Sequence, residues 1–152
     1  MNERSKDMAF NDIYGLINVH GVNGSTNFAF PLKYIRFDSY QVLYSVTDLD
    51  SYRDQSGKLQ RNALAHRPIK VEFETPAMLD NDEFGNLMAQ LQARYTIPAE
   101  KKLIIDVFVA ELNDYLINQE VYIPDIQVSM YRYNKAMGKL QYNPVRFAFI
   151  GY

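Results

Sequence analysis

Hydrophobic and polar positions alternate most cleanly at Ile69-Lys70-Val71-Glu72-Phe73-Glu74, where Ile69, Val71 and Phe73 share one face and the charged residues the other. That period of two predicts a half-buried strand. The strand ends a longer stretch, residues 53–74, that begins as a polar, basic loop carrying Arg53, Lys58, Arg61, Arg67 and Lys70 against the single acid Asp54 before the strand is under way. The period changes after Pro76. Phe84, Leu87, Met88, Leu91 and Tyr95 recur at helical spacing, with Asn86, Gln90 and Arg94 on the opposite side, and Pro98 lies just beyond. Asp80 followed by Glu83 resembles a capping box, so the helix starts there.

The remaining segments read as strands. Residues 13–22 predict a first strand, weakened by Gly15 and closed by the turn Asn23-Gly24-Ser25, because Asn and Gly accept positive φ cheaply. Phe28-Ala29-Phe30 runs into Pro31 and is limited to an edge or a strand end. Residues 33–46 alternate in two phases that meet at Ser39, which indicates either a bulge or a break. Residues 102–110 are apolar on both faces apart from Asp106, as in a central strand. Strands are expected at 115–123 and 126–133 around a turn at Pro124-Asp125, and at 140–150 after a turn at Gly138. Short strands at regular spacing plus one helix indicate a mainly β, α+β fold: an antiparallel sandwich or barrel with the helix packed against it. The expected organisation is a flexible N-terminal arm over residues 1–12 and one β-rich domain over 13–152. Within it, residues 48–64 form either a long hairpin with Gly57 at its tip or a loop that orders on meeting a partner.

Composition narrows the function classes. At 152 residues, 47% hydrophobic and 22% charged, the chain can bury a core of its own. It has no Cys, which excludes disulfides, thiol catalysis and thiolate metal sites and suits a reducing compartment. A net charge of −2 argues against a dedicated nucleic-acid binder, and no specific nucleic-acid sequence is expected as a target. Residues 1–10 have no apolar core of a signal peptide, and no apolar run is long enough to span a bilayer, so a soluble protein with no membrane partner is expected.

Candidate chemistry is sparse. His20 and His66 fall in no ligand or catalytic spacing, and a surface or structural role is expected for each. The run from Asp80 to Gly85 fails as a calcium loop because Phe84 and Leu91 stand where ligands belong. There is no phosphate loop and no nucleophile elbow. No catalytic, cofactor or metal residue is assigned, and a non-enzyme is expected. The five basic residues of 53–70 suit phosphate or an acidic neighbouring subunit equally well. An alternative is a soluble binding module that recognises a peptide, glycan or nucleic acid on a concave face lined by Tyr115, Tyr122, Tyr131, Tyr133 or Tyr142.

The segment Gly57-Lys58-Leu59-x-Arg61, followed by Arg67-x-Ile69-Lys70-Val71-Glu72-Phe73, resembles a family of small structural proteins from the tail modules of siphophages and prophages of Gram-positive bacteria. The similarity extends over a strand like Ile17–Val22, a strand like Tyr40-Gln41-Val42, an acidic loop like Asp48-Leu49-Asp50, and a later helix and strands. The chain departs from that pattern in its longer N-terminus, in the insert at 23–30 and in Phe73, where Trp is common. The resemblance implies a tail-tube-like fold and a virion protein that is made in the host bacterial cytoplasm. It also implies homo-oligomeric rings or stacked rings, contact with other tail proteins and no cofactor. On that view residues 48–64 reach a neighbouring subunit, with Tyr52, Arg53, Lys58, Leu59, Arg61 and Arg67 as candidate contacts.

Overall fold

The computed structural model describes residues 10–152. Most of the expected N-terminal arm, residues 1–9, lies outside the described residues. At its end the Phe10 ring meets Phe108 edge-on at 5.6 Å, and the Asn11 amide donates to the Tyr115 hydroxyl.

In chain order the strands are β1 (Ile17–Val19), β2 (Phe28–Ala29), β3 (Gln41–Tyr44), β4 (Tyr52–Arg53), β5 (Leu59–Gln60), β6 (Ile69–Glu74) and β7 (Leu79–Asp80). The helix α1 (Asn81–Gln92) comes next, then β8 (Lys102–Val109), β9 (Asp114–Tyr122), β10 (Met130–Asn134), β11 (Lys139–Tyr142) and β12 (Arg146–Gly151). The protein is mainly β, with one α-helix packed on antiparallel sheets. A seven-stranded sheet runs β2-β1-β8-β9-β12-β6-β3, a three-stranded sheet runs β10-β11-β7, and β4 pairs with β5 alone.

Local chemistry explains where the elements start and stop. Asn23 and Gly24 both have positive φ (52° and 85°), and Ser25 N–H donates to the Val22 carbonyl, which makes the tight turn that the right-handed twist of strands favours. The Asp80 carboxylate accepts from the Glu83 amide at 2.8 Å and caps α1, as its sequence predicts. Leu87 and Leu91 bury into the core, and Phe84 meets Tyr142 and Phe147.

Three expectations are corrected, and one left open is settled. The first strand begins at Ile17, not residue 13, because Asn11 Oδ1 takes the amides of Ile13 and Tyr14 and curls that segment into a turn. Residues 33–46 break rather than bulge. Short 3-10 turns occupy Leu32–Tyr34 and Phe37–Ser39, and the Ser39 hydroxyl donates to Arg36 O at 2.6 Å and accepts from the Glu74 amide at 2.8 Å. Pro124-Asp125 is not a turn between two strands. The β9–β12 register (Ile150 opposite Tyr122) carried on places Pro124 opposite Ala148, where its ring has no N–H to give, and the chain leaves the sheet until β10 starts at Met130. Residues 140–150 are two strands. Pro144 separates β11 in the small sheet from β12 in the large one, and Thr75 ties the passage down through its amide and its Oγ1, both bonded to Val145 at 2.9 Å.

The core gathers around aromatic rings. Phe73 of β6 and Phe147 of β12 are register partners and stack at 5.5 Å. Phe30, fully buried, packs edge-on against Phe73, Phe147 and Phe149 at 5.2, 5.7 and 6.4 Å. Since Phe30 follows the edge strand β2 and Phe73 lies near the other edge, the sheet curls toward a half-barrel around this cluster. Arg94 is not on a solvated helix face as its spacing implies. It is buried past the helix end, where Nε donates to Thr26 O, Nη1 to Gln90, and the guanidinium faces the Phe28 ring.

Candidate interaction surface

The hairpin of residues 48–64 grows from the junction of β3 and β6. At its root Ser45 N–H donates to Pro68 O at 3.0 Å, and Leu64 N–H to Thr47 O at 2.8 Å. Asp48 bridges Ala63, and Leu49 N–H donates to Asn62 O. Further out Tyr52 stands opposite Gln60 and Arg53 opposite Leu59. Gly57, at φ +86°, turns the tip, and its amide donates to Asp54 O at 2.9 Å. The segment is therefore a formed hairpin within this chain.

Asp54 organises the tip. Its carboxylate accepts the Ser56 hydroxyl at 2.6 Å and the Ser56 amide, the Lys58 amide and Gln60 Nε2 at 3.0 Å each. The Ser56 hydroxyl above all, then Gln60 and the backbone amides, hold this carboxyl below its ordinary value. A group whose pKa is lowered on folding contributes order that is present above its unfolded pKa and lost as pH falls through the folded one. The tip thus stays ordered through the usual aspartate range near about pH 3.9 and loosens below it. An NMR titration of the Asp54 carboxyl carbon checks this. A midpoint at or above the free value would overturn it, and Asp54→Asn should blur the Ser56–Lys58 amide signals at any pH.

The six candidate contact residues divide by depth. Tyr52 is 62% exposed and Leu59 42%, and the Lys58 ammonium has no partner among the described residues. Arg53 bends its Nη1 to Gly57 O at 3.0 Å. Arg61 is committed at the waist, bonded to Asp48 at 2.7 and 3.1 Å. Arg67 is structural. Its guanidinium lies 3.7 Å from the Tyr44 ring centre, donates to Tyr44 O at 2.9 Å and approaches Glu111 at 3.6 Å. The outer hairpin thus presents Tyr52, Arg53, Lys58 and Leu59, while Arg61 and Arg67 fasten it.

Exposed apolar side chains that the sequence reading passed over extend the surface toward the root: Leu43, Val46, Leu49 and Leu64. The alternation in β3, with Leu43 outward, is the one local signal that points to them. Beside the root a cleft of about 490 Å³ is lined by Tyr44, His66, Arg67, Glu120 and Tyr152. His66 Nε2 bonds Tyr152 O there at 2.5 Å.

Other candidate groups separate. Tyr115 is buried and donates to Gly15 O, Tyr122 packs on Tyr152, and Tyr142 packs on Phe84. Tyr131 and Tyr133 are exposed on β10. These five tyrosines are spread over two sheets, and of the five only Tyr131 and Tyr133 are exposed. His20 holds Asp106 at 2.7 Å, and the same buried carboxyl accepts the Tyr14 hydroxyl and, at 2.9 Å, the Asn118 amide. This hub sits at the β8–β9 bulge, where the register shifts between Ile105 and Val107. No helix among the described residues is long and apolar enough to cross a membrane.

Two comparisons bear on identity. A family model described as a family of unknown function (DUF6711) matches residues 22–152. No curated protein matches the chain.

Proposed function

We propose that this chain, which belongs to the DUF6711 family of unknown function, is a non-enzymatic structural protein of a bacteriophage virion. In this reading it is a tail-tube or tail-associated ring component, made in the host bacterial cytoplasm, that assembles with copies of itself and with other tail proteins. The observation that carries the reading is the preformed hairpin. Its strands β4 and β5 bond to each other and to no strand of the two larger sheets. Its tip is fixed by four hydrogen bonds to Asp54, so little conformational entropy remains to be lost on contact. Tyr52 and Leu59 supply an amphipathic ring and an apolar anchor, with Lys58 between for an acidic partner surface. Head-to-tail contacts of this kind close into rings when the rotation closes, and each subunit then makes the contact twice. The motif resemblance at Gly57–Arg61 and Arg67–Phe73 supplies the virion context.

The test is size exclusion with light scattering, and negative-stain images of the same fractions. The full chain should give a concentration-dependent large species, rings or short tubes. Deleting residues 53–61 should leave a folded monomer with an unchanged circular dichroism spectrum and at least a tenfold loss of the large species. Assembly unaffected by the deletion sinks the arm.

A further inference from the structure

A second surface lies on the other sheet. Strand β10 is the edge of the three-stranded sheet, with β11 on one side and no strand on the other among the described residues. It reads Met130-Tyr131-Arg132-Tyr133-Asn134. Met130, Tyr131 and Tyr133 are each more than half exposed, and Met137 and Leu140 continue the apolar patch. An open strand edge with large apolar side chains is a template for another strand, and proteins that remain monomeric blunt such edges. The bulge between Met130 and Arg132 leaves Arg132–Asn134 as the regular part of the ladder.

We propose that β10 pairs antiparallel with β10 of a second copy of this chain, about a two-fold axis through Tyr133. The strand is complementary to itself in that register. Tyr133 stands opposite its own copy, an aromatic pair, and Arg132 stands opposite Asn134, a guanidinium beside a side-chain amide. Moving the axis to Arg132 sets guanidinium against guanidinium, which is repulsive, and Arg132 is held in place by Gln141 Oε1 at 2.6 Å. The two small sheets become one of six strands, β7-β11-β10 continued by its symmetry copy, with Tyr131, Tyr133 and Leu140 covered across the seam. This contact goes beyond the arm and does not use it. Being two-fold, it joins rings face to face, so it caps a stack that a head-to-tail contact would continue.

The chain has no Cys, so Tyr133→Cys introduces a single thiol at the proposed axis. Mild oxidation of the full-length variant should give a disulfide-linked dimer as the main species on a non-reducing gel. Tyr131→Cys, whose two copies are more than about 7 Å apart in this register, should cross-link several-fold less. Tyr133→Lys, at an exposed site that leaves the fold intact, places two ammonium groups face to face and should raise the dimer dissociation constant at least tenfold. A Tyr133→Cys chain that stays monomeric on oxidation, equal cross-linking at position 131, or an unchanged dimer with Tyr133→Lys each overturns the pairing. Rings that vanish on deleting residues 53–61 while Tyr133→Cys does not cross-link overturn β10 pairing and leave the arm standing. A chain that never self-associates removes both.

Discussion

Phe30→Ala lowers the unfolding free energy by about 3–5 kcal/mol, the range for emptying a buried phenylalanine site that cannot collapse. The site is rigid because three rings from two neighbouring strands surround it. Phe73 and Phe147 are stacked nearly parallel, at 8°, and Phe30 presses edge-on against both, with Phe149 behind. None can fill the hole without leaving its partner. Edge-to-face geometry adds about 0.5–1.5 kcal/mol per ring pair beyond the area buried. For a chain of this size the loss shifts the thermal midpoint by about 10 °C or more. Differential scanning calorimetry or urea titration checks it, with Phe37→Ala as control. Phe37 is 60% exposed, and its removal should change stability by about 0.5 kcal/mol or less. Equal effects at the two positions would overturn the account of the core.

The second large effect is expected at Asp106. Asp106→Ala removes the acceptor shared by the Tyr14 hydroxyl, His20 Nε2 and the Asn118 amide. Asp106 is 3% exposed, and its cross-strand partner Asn18 already carries an unsatisfied Oδ1 among the described residues. Donors that lose their acceptor in such a place cost about 1–3 kcal/mol where water cannot replace it. Asn118 is exposed and recovers most of its share from solvent; Tyr14 and His20 recover less. The sum is about 2–4 kcal/mol. Because Tyr14 lies in the segment that enters β1, the same change should speed amide exchange at residues 14–18 ahead of the rest of the sheet. Asp106→Asn, which keeps one acceptor oxygen, should fall between wild type and alanine. Exchange that rises uniformly, or a loss under about 1 kcal/mol, would show that Asp106 is a tolerated buried polar group and not a clasp.

These two residues also mark the limit of what the sequence discloses. The strand at Ile69–Glu74, the cap at Asp80, the apolar face of α1 and the turn at Asn23-Gly24 were all legible, because each depends on spacing or on the φ preference of one or two neighbours. Phe30 was not: a Phe before Pro31 reads as the end of an edge strand, and its burial depends on the sheet curling β6 and β12 around it. Asp106 reads as an interruption in an apolar run, since its three donors come from residues 86 or more positions earlier and 12 later. The hairpin at 48–64 was legible from loop length and Gly57, and Tyr52, Lys58 and Leu59 lie on its outer part. That Arg67 would lie on Tyr44 rather than reach outward was hidden, because only the β3–β6 pairing brings the two together. Arg94 failed for a similar reason: helical spacing assigned it to solvent, but it sits beyond the helix, where the chain folds it under Thr26.

The place of β12 in the sheet has a consequence for how the molecule is made. Residues 146–151 form the strand between β9 and β6. Until they have left the ribosome, β9 and β6 both lack the strand that lies between them, and Phe73 of β6 lacks its stacking partner Phe147. Contacts this distant in sequence are slow to form, and open edges at high local concentration invite pairing with nascent neighbours. Until β12 is made, the edges it later covers on β9 and β6 are open to other pairings. β12, which pairs with both, closes the two edges together.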